Sequence, residues 1–119
     1  MSFAAAAAIT LIALLHVWIL VLEMFLWDKP LGLRTFRHTP EDARTSRVLA
    51  ANQGLYNGFL AAGLFWSVWL GDAGREPARF FMLCVLVAGL YGAWSTGKPR
   101  IFWVQGLPAL IGLMLLQLS

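Results

Sequence analysis

Few side chains in this sequence can do chemistry, and most of those that can lie inside apolar stretches. His16 and Glu23 stand in FAAAAAITLIALLHVWILVLEMF, and Asn52, Gln53, Tyr56 and Asn57 stand in NQGLYNGFLAAGL. At about 100° per residue, a step of seven returns to within about 20° of the same helical face, so His16 and Glu23 share one stripe. An imidazole and a carboxyl on one stripe can hold or pass a proton. Amides present a donor and an acceptor together, which suits them to orienting a ligand or to locking one helix against another. Tyr91 and Gln105, each inside a later apolar stretch, complete the candidate set.

Other chemistries find less support. His38 falls in the charged 28–47 segment, so no second histidine or cysteine stands at the level of His16 to build a metal site. Bis-histidine haem is excluded within one chain; ligation by His16 alone stays open, and no other cofactor is indicated. No glycine loop of the phosphate-cradling kind occurs, and no serine sits in a nucleophile motif. Cys84 is a lone thiol in an apolar run, the usual setting of an inert packing residue.

The elements that must position these groups follow from the charge map. The chain is 60% hydrophobic and 13% charged, against about 25% charged in soluble domains. Positions 1–27 hold one charge, Glu23, and positions 48–71, 80–97 and 101–119 hold none. Each stretch is near the ~20 residues that a helix needs to cross a bilayer. The expectation is one all-α domain, an integral membrane four-helix bundle with spans at about 3–27, 46–70, 78–96 and 101–118. The first stretch lacks the basic start and small-residue cleavage site of a signal peptide and reads as a retained span. Lys29, Arg34, Arg37, Arg44, Arg47, Lys98 and Arg100 are seven of the nine basic residues. All fall in the first and third connections, which share a side. The positive-inside rule makes loops 28–45 and 97–100 cytoplasmic and puts both termini outside, as in a bacterial inner-membrane protein. Those loop positions explain the net charge of +3 without nucleic acid.

Local signals refine this outline. DKPLG (28–32) breaks the first helix; Thr39 is an N-cap, with Pro40 at the first helical position and Asp42 three residues after the cap. The second span therefore starts as a water-exposed helix. Pro77 opens the third span, KPR (98–100) makes a close hairpin of spans three and four, and Pro108 should kink the fourth. Gly54, Gly58 and Ala62 form a ridge of small residues suited to close helix packing. With this threading, Glu23, Asn52, Gln53, Tyr91, Ser95 and Gln105 all fall in the cytoplasmic half, and the outer half is nearly all apolar.

HVWILVLE (16–23) followed by MFLW, taken with NQGLYNGFLAAGL (52–64), resembles a family of small four-span bacterial membrane proteins of unknown function across essentially the whole chain. A looser resemblance is to the membrane-associated proteins in eicosanoid and glutathione metabolism, carried by Arg47, Asn52, Tyr56 and Tyr91 with GKPR (97–100). That resemblance implies a trimeric bundle and a thiol ligand such as glutathione bound from the cytoplasmic side. The acid those proteins carry in span two has no counterpart, since 48–71 holds no Asp or Glu. Asn57–Gly58 is faintly similar to a step in trimeric membrane epoxide isomerases that contain haem.

Three functions remain open on these residues. The first is a pocket that binds or converts a small lipophilic or amphiphilic ligand, with Glu23 as acid, base or acceptor. The second is a non-catalytic accessory or assembly module whose polar residues lock helices. The third is a small proton-coupled transporter. In each, the bilayer and further copies of the chain, a trimer by resemblance, are the expected partners.

Overall fold

A computed structural model describes residues 1–119, and every regular element in it is helical. Helix α1 spans Phe3–Met24, α2 Pro30–Phe36, and α3 Pro40–Trp69. A 3-10 turn at Gly71–Gly74 leads into α4, Arg75–Thr96. The last helix, α5, is Pro99–Leu118 and contains a π-helical segment at Phe102–Gly106. Three helical stretches are long and apolar enough to cross a membrane: Phe3–Met24, Gly71–Thr96 and Pro99–Leu118. Helix α3 has the length, at 30 residues, but Asn52, Gln53 and Asn57 dilute its apolar half and charged residues fill its first turns.

The chain forms two compact units, one of residues 14–61 and one of residues 1–13 with 62–119. In the first unit, α1 ends where the backbone slips to an i→i−5 bond, Leu26 N–H to Val21 O at 3.2 Å. Pro30 does not simply break structure, as DKPLG suggested; it opens α2, because a proline at the first helical position lacks only an N–H that has no helical partner there. A Cβ on Gly32 would collide with the Leu26 carbonyl oxygen, so α2 folds back on the end of α1 only with glycine at this position. Arg37 ends α2 in the left-handed conformation, φ 55°.

Helix α3 starts where the sequence signal placed it. The Thr39 hydroxyl accepts from Asp42 N–H at 3.1 Å, and Pro40 is the first helical residue. Its buried face is a stripe of small residues, Ala43, Ala50, Gly54 and Ala61. Ala62, expected on the ridge, is exposed, and Ala61 takes its place.

The second unit packs α4 through Ala78, Met82, Val85 and Gly89, and α5 through Gly106, Ala109, Gly112 and Leu116. The N-terminal part of α1 adds Ala5, Ile9 and Ile12, and the end of α3 adds Leu64 and Ser67. Gly89 and Gly106 bring two backbones together, since a Cβ on Gly89 would lie 2.6 Å from the Gly106 nitrogen. The effect expected of Pro108 appears as the π segment. Pro108 cannot donate to the carbonyl four residues back, and the preceding turn widens so that Leu107 N–H bonds Phe102 O. Pro77 lies inside the first turn of α4, which begins two residues earlier at Arg75. Arg75 also caps the end of α5, donating to Leu116 O at 3.0 Å and Ser119 O at 3.1 Å.

Candidate functional site

In the unit of residues 14–61, α1 brings Leu20, Glu23 and Met24 against α3. A Cβ on Gly54 would sit 2.7 Å from Met24 Cγ and 3.0 Å from Glu23 Cβ, and one on Gly58 would sit 2.6 Å from Leu20 Cδ1. The two glycines therefore form a seam within the chain, with α1 seated on bare α3 backbone. That closeness lets a short side chain reach across. Asn57 Nδ2 donates to Glu23 Oε1 at 2.6 Å and to the Gln53 carbonyl at 3.2 Å. Glu23 is 4% exposed and His16, seven residues earlier, is fully buried. The shared stripe read from the sequence is thus the buried face of this part of α1.

The four polar residues of α3 do not all face that seam. Relative to Gly54, and at 100° per residue, Asn57 lies about 60° to one side, Gln53 about 100°, and Asn52 and Tyr56 about 160° round on the far face. Burial follows this order: Asn57 is half-buried, while Asn52, Gln53 and Tyr56 are exposed. Tyr56 stacks edge-on against Phe59 at 5.9 Å. Tyr91 and Gln105 belong to the other unit; Tyr91 is exposed beside Trp94, ring centroids 5.9 Å apart, and Gln105 is half-buried in the π segment of α5. Within the unit of residues 14–61, the structure brings Glu23 and Asn57 together in one hydrogen bond and sets Asn52, Gln53 and Tyr56 outward.

A second cluster in the same unit was not legible as a site. The Trp27 indole donates to Ser46 Oγ at 3.0 Å, and its ring contacts Phe36 and His38 at 4.7 and 4.4 Å. His38 Nε2 lies 3.1 Å from the Trp27 carbonyl oxygen, and Arg47 reaches Asp28 at 3.4 Å. Trp27 thus ties α1, α2 and the first turns of α3 into one cap. The only prior signal was an aromatic at the end of an apolar run, which interface tryptophans share.

The Glu23–Asn57 contact can do two things. It satisfies a buried carboxyl, whose desolvation would otherwise cost several kcal/mol. It also fixes the register of α1 against α3, because a shift of one residue moves Asn57 out of reach of Glu23.

Comparison with known proteins agrees with the resemblance drawn from the two polar stretches. The uncharacterized protein YpaA of Lactococcus lactis subsp. lactis is 31% identical over 106 residues, covering 87% of this chain and 88% of that protein. No solved structure matches the chain significantly. The family described as "Protein of unknown function (DUF1304)" matches residues 10–117, nearly the whole chain including Glu23 and the α3 amides, and the chain belongs to that family.

Proposed function

We propose that this protein is a non-catalytic membrane assembly module. In this reading α1, α3, α4 and α5 cross the bacterial inner membrane, loops 28–45 and 97–100 face the cytoplasm, and copies of the chain associate through the amide face of α3. The observation that carries the reading is the division of labour on α3. Asn57 is turned inward, its amide nitrogen donating to Glu23, while Asn52, Gln53 and Tyr56 are exposed on a helix of 30 residues.

Such a helix is about 45 Å long, more than the ~30 Å hydrocarbon core. Lipid offers amides no partner, so a crossing α3 needs its outer polar face covered. A second copy of the chain is suited to this. Each amide carries both donors and an acceptor, so like faces satisfy one another without an unmatched charge. The resemblance to trimeric membrane bundles makes a trimer the expected count.

Native mass spectrometry of the protein in mild detergent tests this reading. An oligomer that Asn52→Leu and Gln53→Leu together convert to monomer supports it; a wild-type monomer overturns it. The half-buried position of Asn57 favours a second reading, in which the Glu23 and α3 polar layer takes a small amphiphilic or thiol ligand. A metabolite, or a haem absorbance from ligation by His16, that co-purifies with wild type and is lost in Glu23→Gln would decide for that reading.

A further inference from the structure

Helix α3 carries an exposed stripe that its polar residues alone do not define. In the unit of residues 14–61, Val48, Asn52, Leu55 and Phe59 are all exposed, at spacings of four, three and four. The sequence continues the same spacing to Ala62, Trp66 and Trp69, each exposed in the other unit. Alternating steps of three and four make the seam of a left-handed coil of helices, whose 3.5-residue repeat keeps one stripe on its partner. The opposite face repeats too. Ala43, Ala50 and Asn57 lie seven apart there, buried or half-buried, and Gly54 and Asn57 meet α1. A second register of the same spacing, Leu49, Asn52, Tyr56 and Phe59, shares two residues with the first. Its next position is Gly63, where a Cβ would collide with the Phe81 ring, so α4 already covers it.

What meets the open stripe follows from the threading. Copies of one chain inserted the same way run α3 in the same direction. Asn52 of one copy then stands level with Asn52 of the next, and each amide finds both a donor and an acceptor in its counterpart. Positions 48–71 hold no charge, so nothing repels such an approach. The surface is also large enough. At about 150–250 Å² per whole aromatic side chain, the exposed parts of Tyr56, Phe59, Trp66 and Trp69 offer about 500 Å². Val48, Leu49 and Leu55 add to that, against about 800 Å² per partner in a stable interface.

We propose that copies of the chain join α3 to α3 as a parallel, in-register coil, with Val48, Asn52, Leu55 and Phe59 in the seam, Tyr56 beside it and Gln53 at its edge. The proposal rests on the self-association through α3 proposed above and assigns which part of that face lies between copies. Apolar residues gain little by leaving lipid for one another, so close packing and the Asn52 amides hold the coil. Asn52 also sets its register, because a slip of one heptad leaves the amide facing Thr45 or Phe59.

The test is disulfide cross-linking in native membranes, on single-cysteine variants of the full chain carrying Cys84→Ser, with native mass spectrometry of the same proteins. Val48→Cys, Leu55→Cys and Phe59→Cys should each give a linked dimer on mild oxidation. Gln53→Cys and Val87→Cys, exposed but off the seam, should not, because a disulfide needs Cα atoms within about 7 Å. Asn52→Leu should convert the oligomer to monomer, and Gln53→Leu alone should leave it assembled. A wild-type monomer that links at no position overturns self-association and the coil with it. An oligomer that does not link at Val48, Leu55 and Phe59, that links at all five positions alike, or that survives Asn52→Leu overturns the coil alone.

Discussion

Removing the Asn57 side chain should expose how much of the α1–α3 register rests on one contact. In Asn57→Ala the donor 2.6 Å from Glu23 Oε1 is lost, while Glu23 stays at 4% exposure beneath α3. An intramolecular hydrogen bond contributes about 0.5–1.5 kcal/mol net, and a buried acceptor left without its donor costs about 1–3 kcal/mol. Destabilisation of about 1–3 kcal/mol follows, a factor of about 5–150 in the unfolding equilibrium. Glu23→Gln keeps an acceptor at the same place and should cost under about 1 kcal/mol. Replacing both residues by leucine removes acceptor and donor together, so it should cost less than the two single leucine changes added. Equilibrium unfolding in mixed micelles, followed by tryptophan fluorescence, gives the four corners of the cycle. The exposed Asn52→Ala serves as control and should lie within about 0.5 kcal/mol of wild type. A coupling between positions 23 and 57 below about 0.3 kcal/mol would refute the lock.

Two further predictions concern the other unit. Gly89→Ala places a Cβ 2.6 Å from the Gly106 nitrogen and 2.8 Å from its Cα, against backbone that cannot swing aside. It should cost about 1–3 kcal/mol in the same unfolding assay, whereas Gly92→Ala meets only the Ile101 Cγ2 methyl at 3.0 Å and should be milder. Arg75→Ala removes the donors to Leu116 O and Ser119 O. The last turn of α5 should then exchange its amide hydrogens about fivefold faster, for a loss of about 1 kcal/mol at a helix C-terminus.

What the sequence made legible was what depends on periodicity and local chemistry. The spacing of His16 and Glu23 forecast a common face, and both are buried on it. Thr39, Pro40 and Asp42 forecast the start of α3, because a cap is an interaction within four residues. The family resemblance drawn from the two polar stretches held across residues 10–117. Other features depend on what lies opposite. Gly54 and Gly58 were visible as a seam, but only the placement of Leu20 and Met24 makes it internal to the chain. Arg75 carries no local signal of a cap, and its role needs the far end of α5 beside it. The widening at Phe102–Gly106 could be anticipated as a disturbance near Pro108, but not its form, since kink and π turn relieve the same missing donor.

The polar residues of α3 are one segment in the sequence but serve two directions in space. A single buried pocket would need Asn52, Gln53, Tyr56 and Asn57 to converge, and a helix cannot turn residues 52 and 57 to one point without breaking its own hydrogen bonds. The chain instead spends one amide inward, on the only carboxyl among residues 1–27, and leaves the others outward. The inward contact locks α1 on α3 and so keeps the direction of the outward face constant. Glu23 is therefore more than a tolerated cost in an apolar helix. Under the assembly proposed above, in which copies associate through Asn52, Gln53 and Tyr56, the direction of that face depends in part on a hydrogen bond that the partner copy never touches. On this reasoning Glu23→Leu with Asn57→Leu can retain a stable fold while weakening association between copies, a separation of stability from assembly that a catalytic role for Glu23 would not produce.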